Sequence, residues 1–199
     1  MTATDRQRPR TKPPEVRREE LMDAAQRLFL EKGFGATSVA EIVDAADVAK
    51  GTFYLYFQTK DDVLAALKVR FVERFCETIE IATTAAASRD WMERLDVWMQ
   101  ACVVAYLDDV TLHDLVFQQF HPAKRSMKRA NPIVSRLASF LLEGHAAGAF
   151  SFADARLTAV MLFNAMHGAV DECLADGPEV DRQKLISAVT NFCRRAVNS

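Results

Sequence analysis

The stretch Ser38–Lys60, SVAEIVDAADVAKGTFYLYFQTK, decides the reading of this chain. Ser38 followed by Glu41 is a capping box that opens a helix, and Val39, Ile42, Val43 and Ala46 form its apolar stripe. Asp47 and Val48 make a tight turn, and a second short helix is expected from about Ala49 to Phe57. Phe53 and Phe57 lie four apart and suit one buried face, while Tyr54 and Tyr56 project elsewhere. Lys50 and Thr52 occupy the first turn, and Gly51 permits close backbone approach. Two short helices joined by a tight turn are a device for placing the second helix in a DNA major groove. Periodicity alone leaves a second reading open, in which Phe53, Tyr54, Tyr56 and Phe57 are only a core cluster.

On the N-terminal side, Leu21, Ala24, Ala25, Leu28 and Phe29 recur at helical steps, and Gly33 supplies a stop. Residues 1–14 are rich in Arg, Thr and Pro without apolar periodicity, and are read as a disordered basic arm. That arm could attract phosphates or remain a solvated tail. On the C-terminal side, Thr59 caps a further helix with Asp61 and Asp62 in its first turn. Lys60, beside that helix N-terminus, suits a phosphate clamp.

The stretches KGFGATSV and AEIVDAADVAKGTFYLYFQTKDDVL resemble the N-terminal module of TetR-type transcriptional regulators, over about Arg17–Leu67. The segment KGTFYLYFQTKDDVL is the most specific part of the likeness. The resemblance implies an all-α homodimer of about nine helices. Its three-helix head (residues 15–60) would bind double-stranded operator DNA, and a helical domain (residues 61–199) would bind an effector and dimerise. By position, Lys50, Gly51, Thr52, Tyr54 and Leu55 would face bases or nearby phosphates. Tyr56 and Lys60 would hold phosphates, and Thr37 and Ser38 would touch phosphate at the start of the second helix. Three positions depart from the family pattern: Ala40 removes a base-reading arginine, Asp47 stands where glycine is common, and Ala49 removes a serine cap.

Composition agrees with a regulator and excludes several other classes. Half the residues are apolar, about a quarter are charged, and the net charge is −2, so the chain is no basic coating protein. No apolar run reaches the roughly 20 residues needed to span a bilayer, and the N-terminus lacks a signal-like apolar region. No membrane association and a cytoplasmic location are therefore expected. Cys76, Cys102, Cys173 and Cys193 form no CxxC pair and read as buried free thiols. No nucleophile–base spacing, phosphate loop or cofactor motif is present, so no enzymatic activity and no cofactor are expected.

Beyond about Ser88 the pattern is helical throughout. Caps are expected at Asp90 and Asn131, and helices are expected near 112–120, from Asn131 to about Gly148, over 154–175 and over 181–197. The expected effector pocket comprises Trp98, Met99, Cys102, Phe117, Phe120, Met127 and Phe163, with His121 and His167 as polar anchors. Such a lining suits a small apolar or aromatic molecule; plain core packing is the competing reading for each residue. The histidines His113, His121, His145 and His167 form no i, i+3 or i, i+4 pair, so no metal site is expected. Small residues Ala165, Gly168 and Ala169, with Asn164 and with Val189, Phe192 and Cys193, mark the expected dimer face.

The expected function is a repressor that binds a palindromic operator as a dimer and is released by its effector. The alternatives are a helical small-molecule-binding protein, or a regulator that acts through a protein partner.

Overall fold

A computed structural model describes residues 13–118, 131–175 and 177–198. The expected basic arm up to Lys12, and Phe120, His121 and Met127 of the expected pocket, lie outside the described residues. The described residues form nine α-helices: α1 Pro14–Lys32, α2 Val39–Ala45, α3 Lys50–Tyr56, α4 Lys60–Ala85, α5 Trp91–Asp108, α6 Val110–Gln118, α7 Pro132–Ala146, α8 Ala155–Ala175 and α9 Arg182–Ala196. The all-α class is as expected. The only sheet-like pairing among the described residues is an isolated bridge between Ser151 and Asn198. The chain divides into two compact units between Lys68 and Val69, inside α4, about two turns beyond the boundary expected at residue 60.

The helix ends follow local chemistry. Pro14 sits at the start of α1, where its missing N–H is harmless, and Gly33 stops that helix at φ 89°. The Ser38 hydroxyl accepts from the Glu41 N–H, and the Glu41 carboxylate accepts from the Ser38 N–H, so the expected capping box forms at α2. At α4 the Thr59 hydroxyl accepts from the Asp62 N–H, and Asp62 accepts from the N–H groups of Gln58 and Thr59. Asn131 caps α7 through the N–H groups of Ile133 and Val134. Each such cap stabilises its helix by about 1 kcal/mol.

In the N-terminal unit, Leu21, Met22, Ala25, Phe29, Ile42, Phe53, Val63 and Leu67 are buried. Of the stripe expected on α2, Ile42 and Val43 are buried while Val39 and Ala46 are half-buried. In the C-terminal unit α5 is buried along one side, with Leu95, Trp98, Met99, Cys102, Val103 and Tyr106 inside. It packs against α8 and α9, and α7 packs along α8. A bidentate pair between Arg194 of α9 and Asp96 of α5 fixes their register, with Nε to Oδ1 at 2.8 Å. The Trp91, Phe140 and Phe150 rings form a cluster at the start of α5.

Candidate nucleic-acid interface and effector domain

The α2–α3 turn sets how the third helix is presented. Val48 N–H donates to the Val43 carbonyl at 3.0 Å, and Asp47 adopts φ 51°, the left-handed conformation that the turn requires. Ala49 precedes α3 without any side-chain cap. Phe53 and Phe57 anchor α3 in the core, at 0% and 4% exposure. The opposite face is open. Lys50, Gly51, Tyr54 and Leu55 are exposed, and Thr52 and Tyr56 are half-buried. Leu55 is 79% exposed, a position with no packing role in the described residues. A Cβ on Gly51 would meet nothing within 4 Å, so packing within the chain does not demand a glycine there. The aromatic tetrad is thus neither wholly core nor wholly surface: two rings fold the head, and two tyrosines remain accessible in whole or part.

The three residues expected at phosphates beside α3 are engaged within the chain. Thr37 is 2% exposed, and its hydroxyl donates to the Gly33 carbonyl at 2.9 Å, closing the end of α1. The Ser38 hydroxyl is exposed but committed to the capping box with Glu41. The Lys60 ammonium donates to the carbonyls of Phe34, Gly35 and Thr37, at 2.7, 3.3 and 2.9 Å. It also lies 4.5 Å from the Phe34 ring centroid. An ammonium has three protons, so this arrangement uses all of them. The sequence hid this because the carbonyl acceptors belong to backbone more than twenty positions away.

In the C-terminal unit, the expected pocket residues separate. Trp98, Met99 and Cys102 are buried in α5 core packing, at 3%, 0% and 0% exposure. Phe117 is half-buried, with its ring 5.9 Å from Phe71 and 4.8 Å from His113. Phe163 is half-buried, 5.8 Å from the His167 ring. A cleft of about 310 Å³ lies between α4 and α5, lined by Phe71, Phe75, Thr78, Val104 and Ala105, with Arg74 and Asp109 3.8 Å apart in its wall. None of the expected residues that lie within the described part of the chain lines it. Burial holds the Cys102 thiol well above its ordinary range and pushes Cys193 up to about 12, so both stay protonated and unreactive.

The structure assembles a polar chain that the sequence did not show. The Tyr106 hydroxyl donates to Asp171 Oδ1 at 2.5 Å, and His167 Nδ1 meets Asp171 Oδ2 at 3.1 Å. His167 Nε2 then lies 3.1 Å from His113 Nε2, and His113 Nδ1 meets Asp114 Oδ1 at 3.1 Å. Burial lowers the His113 pKa against the opposing pull of Asp114, and burial together with the Asp171 bond raises that of Tyr106. Tyr106 on α5, His113 on α6 and His167 on α8 are distant in sequence, so helical spacing rules could not pair them.

The expected dimer residues also divide. Asn164 and Gly168 are exposed, and Ala165 and Ala169 are half-buried. Phe192 is 53% exposed. Val189 and Cys193, at 5% and 0% exposure, are buried within the chain. Leu157 and Met161, 57% and 54% exposed, continue the Asn164–Gly168 stripe along α8.

Comparison with known proteins places this geometry. The profile described as "Bacterial regulatory proteins, tetR family" matches residues 21–67. The fatty acid metabolism regulator protein of Bacillus subtilis is 39% identical over 70 residues, covering 33% of this chain and 36% of that protein. The HTH-type transcriptional repressor KstR2 of Rhodococcus jostii is 36% identical over 80 residues, covering 40% of this chain and 39% of its own. The matched segment therefore spans well under half the length of these relatives. In fold the likeness extends much further. The fatty acid degradation regulator FadR of Bacillus halodurans superposes with a TM-score of 0.68 at 25% identity, covering 93% of this chain and 97% of that one. FadR of Bacillus subtilis in complex with stearoyl-CoA gives a TM-score of 0.71 at 23% identity, covering 90% of this chain and 99% of that one. The head motif is thus matched by the profile of the bacterial tetR-family regulators, and the helical fold is shared along nearly the full length with the FadR regulators.

Proposed function

We propose that this protein is a cytoplasmic repressor that binds a palindromic operator as a homodimer and is released by an apolar small molecule. The observation that carries the reading is the open face of α3. Lys50, Gly51, Tyr54 and Leu55 are exposed there on a helix anchored from behind by Phe53 and Phe57. Lys50 would supply phosphate or base contact, Tyr54 a ring and a hydroxyl, and Leu55 an apolar contact of the kind that thymine methyls accept. The open space at Gly51 would let the duplex backbone approach.

The exposed α8 stripe of Leu157, Met161, Asn164 and Gly168, with Phe192 on α9, supports pairing with a second copy. Two heads held by such a pairing would meet successive major-groove faces about one helical turn apart. The complex of the Bacillus subtilis relative with stearoyl-CoA supports an effector with a long apolar chain. Such a ligand releases DNA only if it binds the DNA-free conformation more tightly than the DNA-bound one.

The test is footprinting on the DNA flanking the protein's own gene, at two salt concentrations, with random DNA as competitor. Protection of a short palindrome, lost on adding stearoyl-CoA, is the expected result. Binding that random DNA competes away equally would overturn the operator reading. A stable footprint in saturating stearoyl-CoA would overturn the acyl effector alone. Met161→Asp should give a monomer in sedimentation with a weakened footprint, and an unchanged dimer would remove α8 from the interface.

A further inference from the structure

We propose that His113 and His167 form a binding site for a borderline divalent transition-metal ion, of which Zn²⁺ is the reference case. An ionised carboxylate only accepts hydrogen bonds, so Asp114 and Asp171 each fix an N–H on the Nδ1 that faces them. Asp171 is held in that role by Tyr106, whose hydroxyl occupies its other oxygen. In the neutral imidazole the remaining nitrogen then carries a lone pair. Both remaining nitrogens are Nε2, and they point at each other from 3.1 Å. Two lone pairs at that separation repel unless a cation lies between or beside them.

The spacing fits a metal. Two imidazole nitrogens bound at about 2.0–2.1 Å lie about 2.9 Å apart at a right angle and about 3.3 Å apart at the tetrahedral angle. The observed 3.1 Å falls between these two geometries. The backing also fits, because a metal-binding histidine almost always gives its other N–H to a carboxylate, carbonyl or water, which raises its basicity. Here both histidines have such a carboxylate. Imidazole donors favour Zn²⁺, Cu²⁺ and Ni²⁺ over Mg²⁺ and Ca²⁺. No group of three or more His, Cys, Asp or Glu converges here among the described residues, so the described part of the chain supplies two nitrogens. Water or an oxygen of a bound small molecule completes the coordination. The site is independent of operator binding and survives if the operator reading fails.

The experiment is titration of metal-free protein at neutral pH with Co²⁺, followed by its visible d–d absorption, and with Zn²⁺ against a chromophoric chelator. One ion per chain is expected for wild type. His167→Gln changes a half-exposed side chain and should weaken binding at least tenfold with an unchanged melting curve. Asp171→Asn should weaken it about tenfold or more, as loss of a backing carboxylate does. Binding of equal strength in wild type and His167→Gln would place the ion elsewhere and overturn the proposal. So would the absence of binding to folded wild type at micromolar metal, which would leave a shared proton as the cation between the rings.

Discussion

The Lys60 ammonium sits 2.7 Å from the carbonyl oxygen of Phe34, 26 positions earlier in the chain, and also takes up the carbonyls of Gly35 and Thr37. It fastens the α1–α2 connection to the start of α4. In this position all three ammonium protons are engaged inside the head. Replacing Lys60 with Met should destabilise the protein by about 2 kcal/mol, the cost of stranding polar groups that a charged donor had satisfied. Operator affinity should fall while the dependence of log affinity on log salt keeps its slope. A slope smaller by about one would instead show a lost phosphate contact.

Asp47 holds φ 51° at the turn before α3. An L side chain pays a steric penalty in that conformation that glycine avoids, although glycine also gains freedom in the unfolded chain. Asp47→Gly should therefore stabilise the protein by about 0.5 kcal/mol, and Asp47→Val should destabilise it by at least about 1 kcal/mol. Urea midpoints of the two variants check the order. If Val were tolerated as well as Gly, the turn would not require a left-handed residue.

Gly144 in α7 is required by a close approach. A Cβ there would fall 2.2 Å and 2.3 Å from two ring carbons of Phe150. That ring is 4% exposed and packed against Trp91 and Phe140, so it has little room to swing away. Gly144→Ala should cost about 2–3 kcal/mol through overpacking. Adding Phe150→Leu should recover part of that loss in thermal denaturation. A double variant no better than the single one would place the strain elsewhere.

Glu41 bonds Lys32 across the α1–α2 connection and closes the Ser38 cap. The Lys32 bond first, then the bonds from Ser38, hold its carboxyl at about 2, against an ordinary value of 4.5. The folded value is the depressed one, so this contribution to stability is complete above pH 4.5. It is lost as pH falls through that value towards about 2. Denaturation midpoints of wild type should therefore drop across that window more steeply than those of Glu41→Gln. Parallel curves for the two proteins would remove Glu41 from the acid response.

The legibility of the head followed the range of its interactions. The Ser38–Glu41 box, the strained Asp47 turn, the uncapped Ala49 and the division of α3 into buried Phe53 and Phe57 against exposed Tyr54 all depend on residues within a few positions. The internal bonds of Thr37 and Lys60 are not legible in this way, because their partners are backbone carbonyls, which leave no mark on residue type. In the C-terminal unit the apolar residues of α5 suit pocket walls and core packing alike. A buried Trp98 or Met99 has the same composition whether it faces a ligand or a neighbouring helix.

By itself the sequence determined an all-helical chain, several of its helix caps, and a head that offers one face of α3. These are consequences of periodicity, capping and steric rules that act along the chain. Tertiary structure decided which of the nominated residues remain available. It consumed Lys60 and Thr37 in backbone bonds, buried Val189 and Cys193, and left Leu157 and Met161 open on α8. It also brought His113 to His167, which stand 54 positions apart on different helices. Helix packing makes such pairs, and spacing along one helix carries no trace of them.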